Sequence, residues 1–131
     1  MKKLLLFTII TSLSAIVIAI ADVHANGLSN LTSDNNYEIE HLLNFVETSE
    51  CSMDRNGTVH EGIKAAKHIK KKYKHFKDKI KTTEDFIELS ASRSTTSGED
   101  YYALCPGKEK ITTSQWLTTE LERYRNSNIK E

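Results

Sequence analysis

The side chains equipped for chemistry in this chain are two cysteines, a set of histidines, an Arg55-Asn56-Gly57 run and a hydroxyl-rich stretch from Ser92 to Ser97. His60, His68 and His75 recur at spacings of eight and seven residues on a segment with helical periodicity. At about 1.5 Å of rise per residue they stand more than about 10 Å apart along the axis, too far to share an ion. Neither His-Glu-x-x-His nor Cys-x-x-Cys occurs, so no metal and no cofactor is expected, and solvated histidines are the favoured reading. A thiol nucleophile, Cys51 or Cys105 working with His60 or His68, needs a reduced cysteine, which an oxidising compartment disfavours when a second cysteine is available. Ser90, Ser94 and Ser97 lie in or near the hydroxyl-rich stretch without a Gly-x-Ser-x-Gly elbow. No catalytic residue is assigned.

Two groups remain as candidate binding residues. A bond between Cys51 and Cys105 would bring Arg55 and Asn56 near Ser94, Ser97 and Tyr101, where a guanidinium fork, an amide and hydroxyls suit an anion or a carboxylate. The bland alternative makes Asn56-Gly57 a turn and lets Arg55 cap carbonyls or pair with an acid. The second group is the run from Lys64 to Lys81, with nine lysines against Asp78 alone. Lys70, Lys71 and Lys74 could hold phospholipid headgroups, lipid phosphates or an acidic protein surface, or could simply solubilise an amphipathic helix.

The elements that must position these residues follow from the chain's order. Lys2 and Lys3, an apolar run from Leu4 to Ala21, and Val23-His24-Ala25 match a secretory signal peptide over residues 1–25, cut before Asn26. Retention as a membrane anchor is the alternative, and either reading places the rest of the chain in a periplasmic or secreted setting. Two cysteines there imply one disulfide. The whole chain has 18 basic and 18 acidic residues, a balance unlike that of a nucleic-acid binder. Asn30-Leu31-Thr32 and Asn56-Gly57-Thr58 are formal glycosylation sequons, relevant in a eukaryotic host alone.

Residues 26–35 read as a flexible leader, 36–126 as one domain and 127–131 as a tail. The fold class expected is mainly α, with about four helices, a small β-hairpin and one disulfide. Helix one is predicted from about Asn36 to Glu50, capped by Asn35, with Ile39, Leu42, Leu43 and Val46 inward and Glu38, Glu40, Glu47 and Glu50 outward. Helix two is predicted over Val59 to Lys81, its stripe running through Val59, Ile63, Ala66, Ile69, Tyr73, Phe76 and Ile80. Thr82-Thr83-Glu84-Asp85 opens a third helix. Ser92 to Gly98 is a loop, Tyr101 to Cys105 a strand and Glu109 to Ile111 its return. Thr113 or Ser114 caps a last helix with Trp116, Leu117, Leu121 and Tyr124 inward.

Several of these motifs recur together. Cys51-Ser52-Met53-Asp54-Arg55-Asn56-Gly57, His68 with Lys72-Tyr73, Thr83-Glu84-Asp85-Phe86-Ile87, Ser94 to Gly98 with Tyr101, Trp116-Leu117 and Leu121 to Arg125 follow one another in order. The series resembles a family of small exported bacterial proteins classed as a domain of unknown function. That family's pattern is a cysteine before Phe-Ile-Arg-Asn-Gly, an alanine- and lysine-rich helix, Thr-Ala-Glu-Asp-Phe-Ile and a serine-glycine loop. The resemblance spans about Glu38 to Arg125. Met53 and Asp54 depart from its apolar pair, Asp54 putting a charge where burial is expected, and Thr83 stands in place of its alanine. It implies a periplasmic location and a shared fold, and it carries no activity. The function expected is therefore non-enzymatic: binding or modulating an anionic or protein component of the cell envelope, with no nucleic-acid partner and an undetermined oligomeric state. The alternative is a small hydrolase or transferase using the Arg55, Asn56 and Ser97 cluster.

Overall fold

A computed structural model describes the backbone of residues 21–129 and the side chains of residues 33–129. The expected signal peptide falls mostly outside this range. Helix α1 (Ala21–Thr48) leads into strands β1 (Ser52–Arg55) and β2 (Thr58–Glu61), then helix α2 (Gly62–Phe76) with a 3-10 turn at Lys77–Lys79. Helix α3 (Thr83–Phe86) widens into a π-turn at Ile87–Ala91, followed by strands β3 (Tyr102–Leu104) and β4 (Ile111–Thr112) and helix α4 (Thr113–Asn128). Among the described residues no helix is long and apolar enough to cross a membrane.

The mainly helical architecture and the Cys51–Cys105 bond agree with the sequence reading, whereas the sheet is larger than the hairpin expected. The Cys51–Gly57 stretch, read as a turn between helices, supplies β1 and the bend of a hairpin. Asn56 (φ 54°) and Gly57 (φ 82°) both have positive φ. This is the geometry of a tight two-residue turn, which Asn-Gly tolerates best. Asp54 Oδ1 accepts the Gly57 amide at 2.9 Å, so the Asp54 charge stabilises the bend from the sheet's outer side. The strands run antiparallel in the order β2-β1-β3-β4, with β1 flanked on both edges.

Helix boundaries shift accordingly. Val59 lies on β2, 56% exposed, and Ile63 is 65% exposed, so neither extends the buried stripe of α2. That stripe is Gly62, Ala65, Ala66 and Ile69, which meets Ile39, Leu42, Leu43 and Val46 of α1. Helix α1 begins before Asn36 and takes in the stretch read as a leader; Asn35 caps nothing and instead donates to the Lys81 carbonyl at 2.9 Å. Glu38, expected on the wet side, is half-buried under Arg125. The helix start expected at Thr82-Thr83-Glu84-Asp85 is capped by Thr82, and the Asp85 side chain returns the bond, making a reciprocal box that the sequence reading places at Asn35 and Glu38 instead. The cap of α4 is Thr112, one residue before the expected position, and α4 continues through Asn128 into the expected tail. The return strand is Ile111–Thr112.

A Cβ on Gly62 would overlap the Val46 carbonyl oxygen and sit 3.1 Å from that of Glu47, so the start of α2 approaches the backbone of α1 as only glycine allows. Gly62→Ala is therefore expected to cost roughly 1–3 kcal/mol, the range for overpacked cores. A lowered urea midpoint at constant m-value would register it; an unchanged midpoint would mean α2 can withdraw without loss. Converting Cys51 and Cys105 together to alanine opens a loop of sequence separation 54 and should cost about 4 kcal/mol in the same assay.

Candidate functional site

Residues directly opposite one another in paired strands share a face, and alternate residues along a strand do too. Met53 pairs with His60 and with Ala103, and Arg55 pairs with Thr58. Met53 and Ala103 are buried against the helices. The register therefore puts Arg55, Thr58 and His60 on the helix-facing side, at the end where β1 and β2 outrun the core. Helix α2 brings His68 and Lys72, one turn apart, to the same place. The loop after α3 closes the third wall with Ser94, Thr95 and Thr96, and Tyr101 closes the floor. These residues and Asn56 line an open cleft of about 490 Å³.

The loop holds its own shape. Ser94 is buried, and its Oγ accepts the amides of Thr96 at 3.3 Å and Ser97 at 3.2 Å. The Gly98 amide donates to the Ser94 carbonyl at 2.9 Å, and Ser97 Oγ donates to Asn56 Oδ1 at 3.2 Å, tying loop to hairpin. These hydroxyls serve the scaffold, and among the described residues none stands at bonding distance from a histidine or a carboxylate that would activate it.

Inside the cleft the interactions are cationic. Arg55 Nη2 lies 2.9 Å from His60 Nε2. A guanidinium has only donors, so Nε2 accepts and the proton of His60 sits on Nδ1. Arg55 Nε is buried with no hydrogen-bond partner among the described residues. Tyr101 Oη is 3.4 Å from His68 Nε2, and Lys72 Nζ stands 5.3 Å from the centre of the Tyr101 ring. Lys72 also donates to the Arg93 carbonyl at 2.5 Å. No lining residue is an acid. Glu88, the acid felt by Lys72, is paired with Arg93 at 2.7 Å.

All three titratable groups here with perturbed equilibria move toward their uncharged forms. Burial and then the Arg55 charge lower His60; burial, Arg55 and Lys72, in that order, push His68 down to about 4. Burial, then Arg55, lowers Lys72, with partial relief from Glu88. The site is a pocket of positive charge without its counter-charge.

Of the residues singled out from sequence, Arg55, Asn56, Ser94 and Tyr101 meet at this cleft, and Ser97 joins it through Asn56. Lys70, Lys71 and Lys74 are exposed on α2 outside it, and Lys70 pairs with Glu47 of α1 at 3.1 Å. His60, His68 and Lys72 also line the cleft, and none of them is a candidate binding residue by sequence. The reading of His68 as solvated gives way to a half-buried ring edge-on to Tyr101 at 5.9 Å. Its signal in the sequence was the four-residue step to Lys72, which sets both on one helical face.

A histidine that titrates at about 4 when folded and near 6.5 when unfolded binds fewer protons in the folded state across that interval. Its contribution is complete above pH 6.5 and is lost as pH falls toward 4. His60 acts in the same sense. Glu38, Glu84 and Glu120, each held low first by an arginine hydrogen bond, lose theirs only below their ordinary value of 4.5. The melting temperature is thus expected to decline between pH 6.5 and 4.5, and His68→Gln should shallow that decline while sparing the loss at more acid pH. Identical slopes in both proteins would show His68 titrating normally.

A model described as a family of unknown function (DUF5329) matches residues 33–125. No curated protein and no solved structure matches the chain.

Proposed function

We propose that this chain, which belongs to the family of unknown function DUF5329, is an exported, non-enzymatic protein that binds an anionic component of the cell envelope in the Arg55 cleft. The observation that carries the reading is the convergence of Arg55, Lys72, His60 and His68 in a concave site with no acidic lining residue. Burying unneutralised cations costs stability. A fold that keeps them gains most when a ligand supplies the missing negative charge.

Export through a signal peptide cleaved after Ala25 into the periplasm is part of the same proposal. It draws support from the apolar N-terminal run and from the Cys51–Cys105 bond, a linkage that persists in oxidising compartments. The surface lysines Lys70, Lys71 and Lys74 would strengthen long-range attraction to an anionic partner and be screened by salt. A hydrolase or transferase built on Arg55, Asn56 and Ser97 has weaker support, since Ser97 Oγ is engaged with Asn56 and no base adjoins it.

Thermal shift with multivalent anions at fixed ionic strength tests the reading. Phosphate, sulfate and citrate should raise the melting temperature well above an equivalent of chloride, as expected for ligands that bind the folded state alone. Arg55→Met should abolish the difference. An equal response to chloride, or an unaltered response in that variant, would remove the cleft from consideration.

A further inference from the structure

The geometry points to a phosphate monoester as the group this cleft takes, held by Arg55 and Lys72 with a proton gained by His68 on binding. The inference rests on the anion-binding reading above and narrows it to one ligand chemistry.

Three features select the class. First, charge: the cleft holds two fixed cations, Arg55 and Lys72, and no acid among its lining residues. A carboxylate or a phosphodiester brings one negative charge and leaves the other half-buried cation unbalanced. A monoester brings about −1.5 to −2 at neutral pH and can balance both. Second, donor geometry: the Arg55 fork matches two oxygens of a phosphate, with Lys72 as a point charge toward a third. Thr58, Thr95 and Thr96 add hydroxyls around the rim, so donors approach from β1, β2, α2 and the loop. That spread suits a tetrahedral head with three free oxygens better than a planar carboxylate. Third, shape: the lining contains no Val, Leu, Ile, Met or Phe side chain, and its apolar surface comes from the Tyr101 ring and the carbon atoms of otherwise polar residues. Such a cleft grips a terminal head and leaves the body of the ligand in solvent.

The histidines complete the site. Arg55, Lys71 and Lys72 all bear on His68, as does His60, and Arg55 and Lys64 bear on His60. Tyr101 also adjoins His68, and Glu88, paired with Arg93, acts on Lys72. With these facing charges positive, the imidazoles favour their neutral forms. A bound dianion reverses the sign of the local field and favours the His68 imidazolium, which then donates a hydrogen bond to a phosphate oxygen, while His60 keeps accepting from Arg55. Binding and proton uptake are thereby linked.

Two sources supply such a monoester, a soluble sugar or glycerol phosphate and a lipid whose headgroup is a bare phosphate, and the experiment has an arm for each. Mature protein is titrated calorimetrically with glycerol 3-phosphate, dimethyl phosphate and propionate at one ionic strength. It is also sedimented with vesicles containing phosphatidic acid or, at equal surface charge, phosphatidylglycerol. Glycerol 3-phosphate should bind at least about tenfold more tightly than the diester or the carboxylate, a difference well within calorimetric range. Its affinity should rise as pH is lowered from about 8 to about 6.5, against the ligand's own loss of charge near pH 6, so that the rise reports uptake by the protein. His68→Gln should remove the rise, and Lys72→Gln and Arg55→Met should each lower the affinity about tenfold or more while circular dichroism confirms the fold. Retention on phosphatidic acid over phosphatidylglycerol, competed by glycerol 3-phosphate, would assign the lipid source. Retention on neither, with soluble binding intact, would assign the soluble one. Equal affinity for monoester, diester and carboxylate, still dependent on Arg55, would overturn this inference and leave the anion-binding reading standing. Absence of binding by all three would overturn both.

Discussion

The fold depends on β1 being held between two partners in one register. Four residues must pair with β2 through a tight Asn56-Gly57 bend and with β3 across a long excursion of chain, and the Cys51–Cys105 bond fixes the second pairing at its start. Strand side chains alternate with period two, so a slip by one residue would carry Met53 out of the core and turn Arg55 to the outer face. The disulfide and the burial of Met53 between Ala103 and the helices both resist that slip. Core packing and the position of the cationic cleft are thus decided by the same register.

Two arginines show what that placement means. Arg125 joins α4 to α1 and α3: its Nε and Nη2 donate to the two oxygens of Glu38 at 2.7 and 2.8 Å, and its Nη1 to Glu84 at 2.6 Å. Charge is balanced on the spot, both acids are held below their ordinary range, and the group acts as a structural pin. Arg55 has a similar degree of shelter but faces two imidazoles and a lysine. If its task were to brace the hairpin, a carboxylate opposite it would serve better at no cost in packing. Its neighbours instead surrender their own charge to accommodate it, which is the arrangement expected of a site completed by something from outside.

Much of this was legible in the sequence where the signal was periodic or covalent. The stripe of Ile39, Leu42, Leu43 and Val46, the Thr82–Asp85 cap and the paired cysteines each announce one local structure with a strong physical cause. The β1–β2 hairpin was not, because its strands are four residues long and carry Ser52, Asp54 and Glu61, polar residues that face outward on a one-sided sheet. Asn56-Gly57 was visible as a turn, but a turn alone does not say whether helices or strands flank it. Extending α2 back to Val59 followed from apolar spacing; Gly62 was the contrary signal, a small residue where two backbones meet. For the site, Arg55, Asn56, Ser94 and Tyr101 could be gathered once the disulfide was assumed. His60 and His68 could not, since what distinguishes them is burial beside Arg55, and burial depends on tertiary structure.

The nine lysines of the Lys64–Lys81 segment illustrate why composition misleads about function. Read as a run they form one cationic ridge. On the helix they divide, because the small residues Gly62, Ala65 and Ala66 draw one face of α2 tightly onto α1 and leave the lysines to lean to either side of the contact. Lys70 leans toward α1 and meets Glu47, an exposed pair that contributes at most about 1 kcal/mol. Lys72 leans the other way, over Tyr101 and into the cleft, where the Arg55 charge outweighs that of Glu88. The same residue type thus solvates the fold on one flank and charges a site on the other. The difference between the two is set by which neighbour the backbone supplies, and here that neighbour is supplied by β1.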